Sequence, residues 1–227
     1  NVMSDLHKFS NPDKVPVLRN FFKTGKGEYG EGDVFIGVNV PDTRKIAKKY
    51  KDIELDLVAE LLESRVHEER LLGVLILVQK YQDQNDHEIF FFYRMHNRKI
   101  NNWDLVDLSA DKIVGHYYFN NRGKSNELYK LAESDNLWER RTSIVSTFYF
   151  IKNNLFDQTI KISEMLLKDE HDLIHKAVGW MLREVGKRDK KVLVNFIDKH
   201  CNEMPRIMLR YAIEKLPEVE RKKYLAR

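Results

Sequence analysis

Trp103 and Asp107 stand four residues apart in the run Asn101-Asn102-Trp103-Asp104-Leu105-Val106-Asp107, so on a helix an indole and a carboxylate share one face. Lys176, Trp180, Arg183 and Lys187 fall at i, i+4, i+7 and i+11, opposite Val178, Leu182 and Val185, and form a stripe of cations around a second indole. Trp138-Glu139-Arg140-Arg141 opens a third helix, on which the adjacent arginines diverge by about 100°. Arg206 and Arg210 follow Pro205 one turn apart. Lysine and arginine suit phosphates, and indole faces suit an unstacked base or a cationic ring. Arg70, Arg140, Lys176 and Arg210 also recur at intervals of about 35, with Trp103 and Asp107 near the missing place. A basic track interrupted by one aromatic and one acid is the layout of a DNA groove with a reaction centre in it. Each pattern has a plainer structural reading: Trp103 as a core aromatic, Asp107 as a first-turn acid favoured by the helix dipole, and the stripe as a solvated face.

The elements that must position these groups are helices, because apolar residues recur with a period near 3.6 and sustained alternation is scarce. Helices are expected over about 12–22, 42–51, 54–64, 66–81, 85–97, 101–119, 125–133, 136–154, 156–167, 171–187, 189–202, 204–216 and 217–226. Pro41, Pro205 and Pro217 sit at expected helix starts, where a proline loses no hydrogen bond. Leu62-Glu63-Ser64 with Glu69-Arg70 resembles Leu131-Ala132-Glu133-Ser134 with Glu139-Arg140, two intervals later. Two helices per interval is the organisation of a helical solenoid, in which a hairpin buries its apolar face only against neighbours. Homologous helices would then line the concave side. One domain over 1–227 is expected.

With 39 Lys and Arg against 35 Asp and Glu, the chain is no polycation, so an anion site requires clustering of its cations. The single cysteine, Cys201, excludes an internal disulfide and a cysteine-rich metal site. The longest apolar run, 71–78, is far short of the roughly 20 residues that cross a bilayer. With no signal-peptide layout at the N-terminus, a cytoplasmic protein without membrane contact is expected. Gly25-Lys26-Gly27-Glu28-Tyr29-Gly30 formally matches a dinucleotide fingerprint but lacks the strand before it and the helix after it. Lys23 and Lys26 in this glycine-rich loop remain candidates for phosphate contact. His171 and His175 share a helix face but lack the glutamate and third ligand of a zinc site, and His200 beside Cys201 has no context for a nucleophilic dyad. Neither metal nor cofactor is expected.

The segments 102–107, 138–141 and Lys176-Ala177-Val178-Gly179-Trp180-Met181-Leu182-Arg183-Glu184 resemble signatures of the DNA alkylation repair proteins, the AlkD-like HEAT-repeat DNA glycosylases. Phe35-Ile36-Gly37-Val38, followed by Pro41 and Arg44, is similar to their N-terminal segment. The resemblance implies an all-α, curved right-handed solenoid of HEAT-like repeats with a concave basic groove. It implies that Trp103 and Trp180 flank the damaged nucleotide, that Asp107 is the catalytic carboxylate, and that Arg141, rather than the Arg140 of the repeat register, contacts the DNA backbone. Arg140, Lys176, Arg183, Lys187, Arg206, Arg210, Lys23 and Lys26 are the further DNA-binding candidates.

The chemistry fits such an inventory. An N3- or N7-alkylated purine is already a cationic leaving group, so one carboxylate suffices where ordinary glycoside hydrolysis uses two. The implied activity is excision of 3-methyladenine or 7-methylguanine from double-stranded DNA by a monomer, with no lyase step. Two alternatives remain: a catalytically silent repeat protein that grips distorted or branched DNA, and a helical scaffold that binds proteins.

Overall fold

In the computed structural model the chain, described over residues 1–84 and 87–226, is built of helices joined by turns and by one long loop between residues 22 and 39. Its packing divides it into two compact units, Asn1–Ser109 and Ala110–Arg227.

The first unit contains α1 (Val2–His7), α2 (Val15–Phe21), α3 (Val40–Lys49), α4 (Leu55–Glu63), α5 (His67–Gln84), α6 (His87–Met95) and α7 (Trp103–Ser109). Its axis is α5, packed against α3, α4, α6 and α7. Leu61, Leu62, Leu72, Ile76 and Leu77 are fully buried, each contributing roughly 2 kcal/mol by leaving water. Pro41 lies in the first turn of α3, as expected, and Asn39 caps that helix by accepting from the amide of Asp42. A single parallel bridge joins Val34 and Val66. It returns the chain to the start of α5, where Gly37 adopts φ +83° with its Cα against the carbonyl of Asn11. A side chain there would meet that oxygen, so only glycine fits.

The second unit begins with a π-helical turn, Asp111–Gly115, and continues as α8 (His116–Asn120), α9 (Glu127–Ala132), α10 (Leu137–Lys152), α11 (Asp157–Met165), α12 (Asp172–Arg188), α13 (Lys190–His200), α14 (Arg206–Ile213) and α15 (Glu218–Leu225). The sequence reading expected one helix over 101–119. Instead, the carbonyl of Ala110 accepts from both the amide of Gly115 (2.8 Å) and the hydroxyl of Ser146 (3.3 Å), so the π-turn is set by a tertiary contact. On α12, Ala177, Val178, Met181, Leu182 and Val185 are fully buried, the inward stripe of an amphipathic helix. Gly179 lets α12 approach α14 so closely that an added Cβ would lie 2.5 Å from the carbonyl oxygen of Met208. Pro205 and Pro217 cap α14 and α15 from just outside rather than entering their first turns. Residues 85 and 86, the start of the helix expected over 85–97, lie outside the described residues.

The sequence repeat has a structural meaning in both units. The Ser64 hydroxyl donates to Glu69 and accepts from the amide of Val66, while Arg70 Nη1 donates to the Ser64 carbonyl at 2.9 Å. Seventy positions later, Ser134 donates to Glu139 and accepts from the amide of Asn136, and Arg140 Nη1 donates to the Ser134 carbonyl at 3.0 Å. A third copy, one interval on, replaces serine with Asp169: its carboxylate accepts from the amide of His171, and its carbonyl accepts from His175 Nε2. The repeated residues are therefore turn fasteners at the start of α5, α10 and α12. The all-α, repeat-like fold is as expected, but the register belongs to Arg70, Arg140 and His175. Lys176 stands one place further on, level with Arg141.

Candidate functional site

Within the first unit, α7 presents Trp103 and Asp107 on one face, both half-buried. Asn102 starts the helix, its side-chain oxygen accepting from the amide of Trp103 at 2.9 Å. The indole is neither sealed in the core nor free. It stacks on Phe22 at 5.3 Å and 14°, and meets the edge of Phe21 at 5.7 Å. Phe21 itself is 58% exposed, so an apolar surface borders Trp103 on the solvent side.

Behind this face lies a buried charged cluster that the sequence reading missed. His67 Nε2 donates to Asp104 at 2.8 Å, and its Nδ1 faces Asp33 at 3.4 Å. Asp33 also accepts from Arg70 Nη2 at 2.6 Å and from the Asn102 amide at 3.3 Å. Burial works against a charge on His67, but Asp104, with Asp33 in support, outweighs it and pushes the pKa up to about 9. Burial likewise opposes ionisation of Asp33, yet the hydrogen bond from His67 and the nearby Arg70 hold it below the usual carboxylate value. One signal was available in the sequence: His67-Glu68-Glu69-Arg70 puts four charges directly before the apolar run 71–78, and all four are buried.

This cluster corrects the basic track at its first member, because Arg70 is 3% exposed and committed to Asp33 and the Ser64 carbonyl. Arg140 is not a free groove cation either. It donates to Asp169 (2.6 Å) and to the carbonyls of Ser134 and Asp135 (3.0 Å each).

The remaining candidates divide by environment. Arg141 is buried, with Nη1 donating to the carbonyl of Leu173 near the start of α12. Trp180 is half-buried beside Phe148, whose ring lies 4.2 Å from the Lys152 ammonium. The stripe on α12 is real, but its cations have acidic neighbours: Lys176 pairs with Asp172 at 2.7 Å, Lys187 with Glu184 at 2.7 Å, and Arg183 with Glu214. The two lysine pairs are solvent-exposed and worth at most about 1 kcal/mol each. Arg206 Nη2 donates to the carbonyl of Leu225, whereas Arg210, Lys23 and Lys26 are exposed. In the glycine-rich loop, the amides of Gly25 and Gly27 are taken by the carboxylates of Glu28 and Glu31 (2.7 and 2.8 Å), which occupy the donors a dinucleotide pyrophosphate would need. Among the described residues, no group of three or more His, Cys, Asp or Glu could hold a metal ion, and no helix is long and apolar enough to cross a membrane.

The fold is shared with solved structures. A predicted DNA alkylation repair enzyme from Enterococcus faecalis superposes with a TM-score of 0.74 at 16% identity, covering 92% of this chain and 97% of that one. The protein smu.31 from Streptococcus mutans superposes with a TM-score of 0.54 at 18% identity, covering 90% and 98%. Among curated proteins, the DNA translocase FtsK of Campylobacter jejuni is 24% identical over 100 residues, which is 43% of this chain but only 10% of the translocase. The model of the family described as DNA alkylation repair enzyme matches residues 2–216, nearly the whole length, and the chain belongs to that family.

Proposed function

We propose that this protein is a monofunctional DNA glycosylase that releases positively charged N3- or N7-alkylated purines, such as 3-methyladenine and 7-methylguanine, from double-stranded DNA. The observation that carries the proposal is the placing of a half-buried carboxylate, Asp107, on the same face of α7 as a half-buried indole, Trp103, in a member of this family.

As the glycosidic bond breaks, positive charge develops on the deoxyribose. Asp107 offsets that charge and orients the attacking water, while the Trp103 face favours a cation through its quadrupole. The alkylated base leaves as a neutral molecule, so no general acid is required. Trp180 is assigned the second aromatic contact. Arg141 is assigned the backbone contact, made from a buried position with the guanidinium fixed by the Leu173 carbonyl. Lys176, Arg183, Lys187, Arg206, Arg210, Lys23 and Lys26 supply sequence-independent phosphate attraction.

Incubating the protein with a methylated duplex and assaying free base tests the proposal. A glycosylase yields free 3-methyladenine or 7-methylguanine with intact strands. A mobility shift without base release would instead support a silent DNA-binding protein. DNA affinity that hardly responds to salt would support a protein-binding scaffold.

A further inference from the structure

We propose that His67 is a positioning residue for the reaction assigned to Trp103 and Asp107: from inside the first unit it fixes the opening turn of α7 both through Asp104 and through a stack of aromatic rings that ends on Trp103. This inference rests on the glycosylase reading above and deepens it.

Two separate routes join His67 to the reacting face. The first is directional hydrogen bonding. His67 Nε2 donates to Asp104 at 2.8 Å, and Asp104, the residue after Trp103, accepts from the amide of Leu105 at 2.9 Å. Asp33 closes the same arrangement from the loop before α3, facing His67 Nδ1 and accepting from Asn102, whose own oxygen caps Trp103. The second route is ring packing. The imidazole stacks on Phe35 at 4.8 Å and leans on Phe22 at 4.7 Å, and Phe22 stacks on the Trp103 indole at 5.3 Å. A protonated imidazole against two phenyl faces is further held by their quadrupoles.

A cluster of buried charges stabilises a fold poorly compared with apolar packing of equal volume, because desolvation consumes most of the attraction. What it supplies is orientation, since its bonds are satisfied in only one arrangement of α2, α5, α7 and the 23–39 loop. The groups facing His67 are Asp33 from that loop, Asp104 and Asn102 from the start of α7, Arg70 one turn along α5, and the rings of Phe22 and Phe35. Its helix neighbours are engaged elsewhere, Glu68 with the amides of Ile36 and Gly37, and Glu69 with Ser64 and His7. His67 therefore completes a charge set of two cations and two carboxylates. Loss of its proton would leave Asp104 facing a neutral ring and free α7 to shift.

The test is single-turnover release of 7-methylguanine from a methylated duplex between pH 7 and 10, using wild type, Asp107→Asn, His67→Gln, and the double variant His67→Gln/Asp104→Asn. The double variant restores a neutral hydrogen-bonded pair and is measured in place of His67→Gln should that variant not fold. Misplacing a reacting group by about 1 Å costs on the order of 100-fold in rate. His67→Gln is therefore expected to slow release by roughly 10- to 100-fold at pH 7 with duplex affinity unchanged. It should also remove the alkaline fall in rate expected of the wild type as His67 gives up its proton near pH 9. The double variant should lack that alkaline limb as well. Because Phe22 touches both rings, the emission of Trp103, isolated by replacing Trp138 and Trp180 with Phe, should change with pH only where His67 is present. If Asp107→Asn is inactive while the His67 variants keep the wild-type rate and pH profile, the positioning role is wrong and the site reading stands. If Asp107→Asn is fully active, the site reading itself is wrong and the role of His67 falls with it.

Discussion

Replacing Arg140 with alanine should loosen the second unit and leave the grip on DNA unchanged. The guanidinium donates to Asp169 at 2.6 Å and to the carbonyls of Ser134 and Asp135 at 3.0 Å, closing the turn that leads into α10. A hydrogen bond to a charged partner contributes about 1.5–3 kcal/mol and a neutral one about 1 kcal/mol. The Arg140 side chain is 20% exposed and its Asp169 partner 5%, so solvent screens the pair only partly. A net loss of about 2–3 kcal/mol follows, equivalent in a chain of this length to a fall in melting temperature of roughly 5–10 °C. Circular dichroism melting measures that fall. Duplex affinity titrated against salt at 20 °C measures the other half, because each lost phosphate contact lowers the slope of log K against log salt by about 0.9. The structural assignment predicts an unchanged slope. An unchanged melting temperature together with a slope reduced by about 0.9 would show that Arg140 touches phosphate, and would refute the turn assignment.

Two further predictions concern the packing that carries the site. His67 holds its proton to about pH 9 in the fold against about 6.5 in the unfolded chain, a difference equivalent to about 3 kcal/mol. Because the folded value is the higher one, that stabilisation is complete below pH 6.5 and is lost as the pH rises through 9. Urea midpoints should therefore fall across this interval in the wild type and stay flat in His67→Gln; a flat wild-type profile contradicts the protonated cluster. Asp33 works with the opposite sign, its stabilisation being present above the ordinary carboxylate range and lost on acidification. Gly179→Ala, whose new Cβ would lie 2.5 Å from the carbonyl oxygen of Met208, should cost about 1–3 kcal/mol through displacement of α14, read by thermal melting. Wild-type stability in that variant would mean that α12 and α14 are less closely packed than described.

Much of the fold was legible because its helices carry strong apolar periods. The buried stripe of α12 is readable directly from Ala177, Val178, Met181, Leu182 and Val185. The first helix, Val2–His7, was not expected: six residues carry too little pattern, and its Leu6 and Asp5 gain their importance only by packing into the unit and by accepting from Lys49 and Tyr50. The π-turn was hidden for a similar reason, since it depends on Ser146 reaching the Ala110 carbonyl. The repeat was visible, but its meaning was not. Ser64, Glu69 and Arg70 read as surface polar residues until the turn they close is seen. An arginine that fastens a carbonyl looks the same in sequence as one that binds phosphate.

At the candidate site, Trp103 and Asp107 could be placed on one face from their spacing alone. The cluster behind them could not, because it joins residues 33, 67, 70, 102 and 104 across loops whose closure spacing does not reveal.

The most direct test of the glycosylase assignment is the rate at which free 7-methylguanine leaves a methylated duplex with saturating wild-type protein beside Asp107→Asn. The variant should bind the duplex with unchanged affinity and release base at least on the order of 100-fold more slowly, as expected when a group that stabilises transition-state charge is removed. Equal rates of release from the two proteins would rule out Asp107 as the catalytic carboxylate.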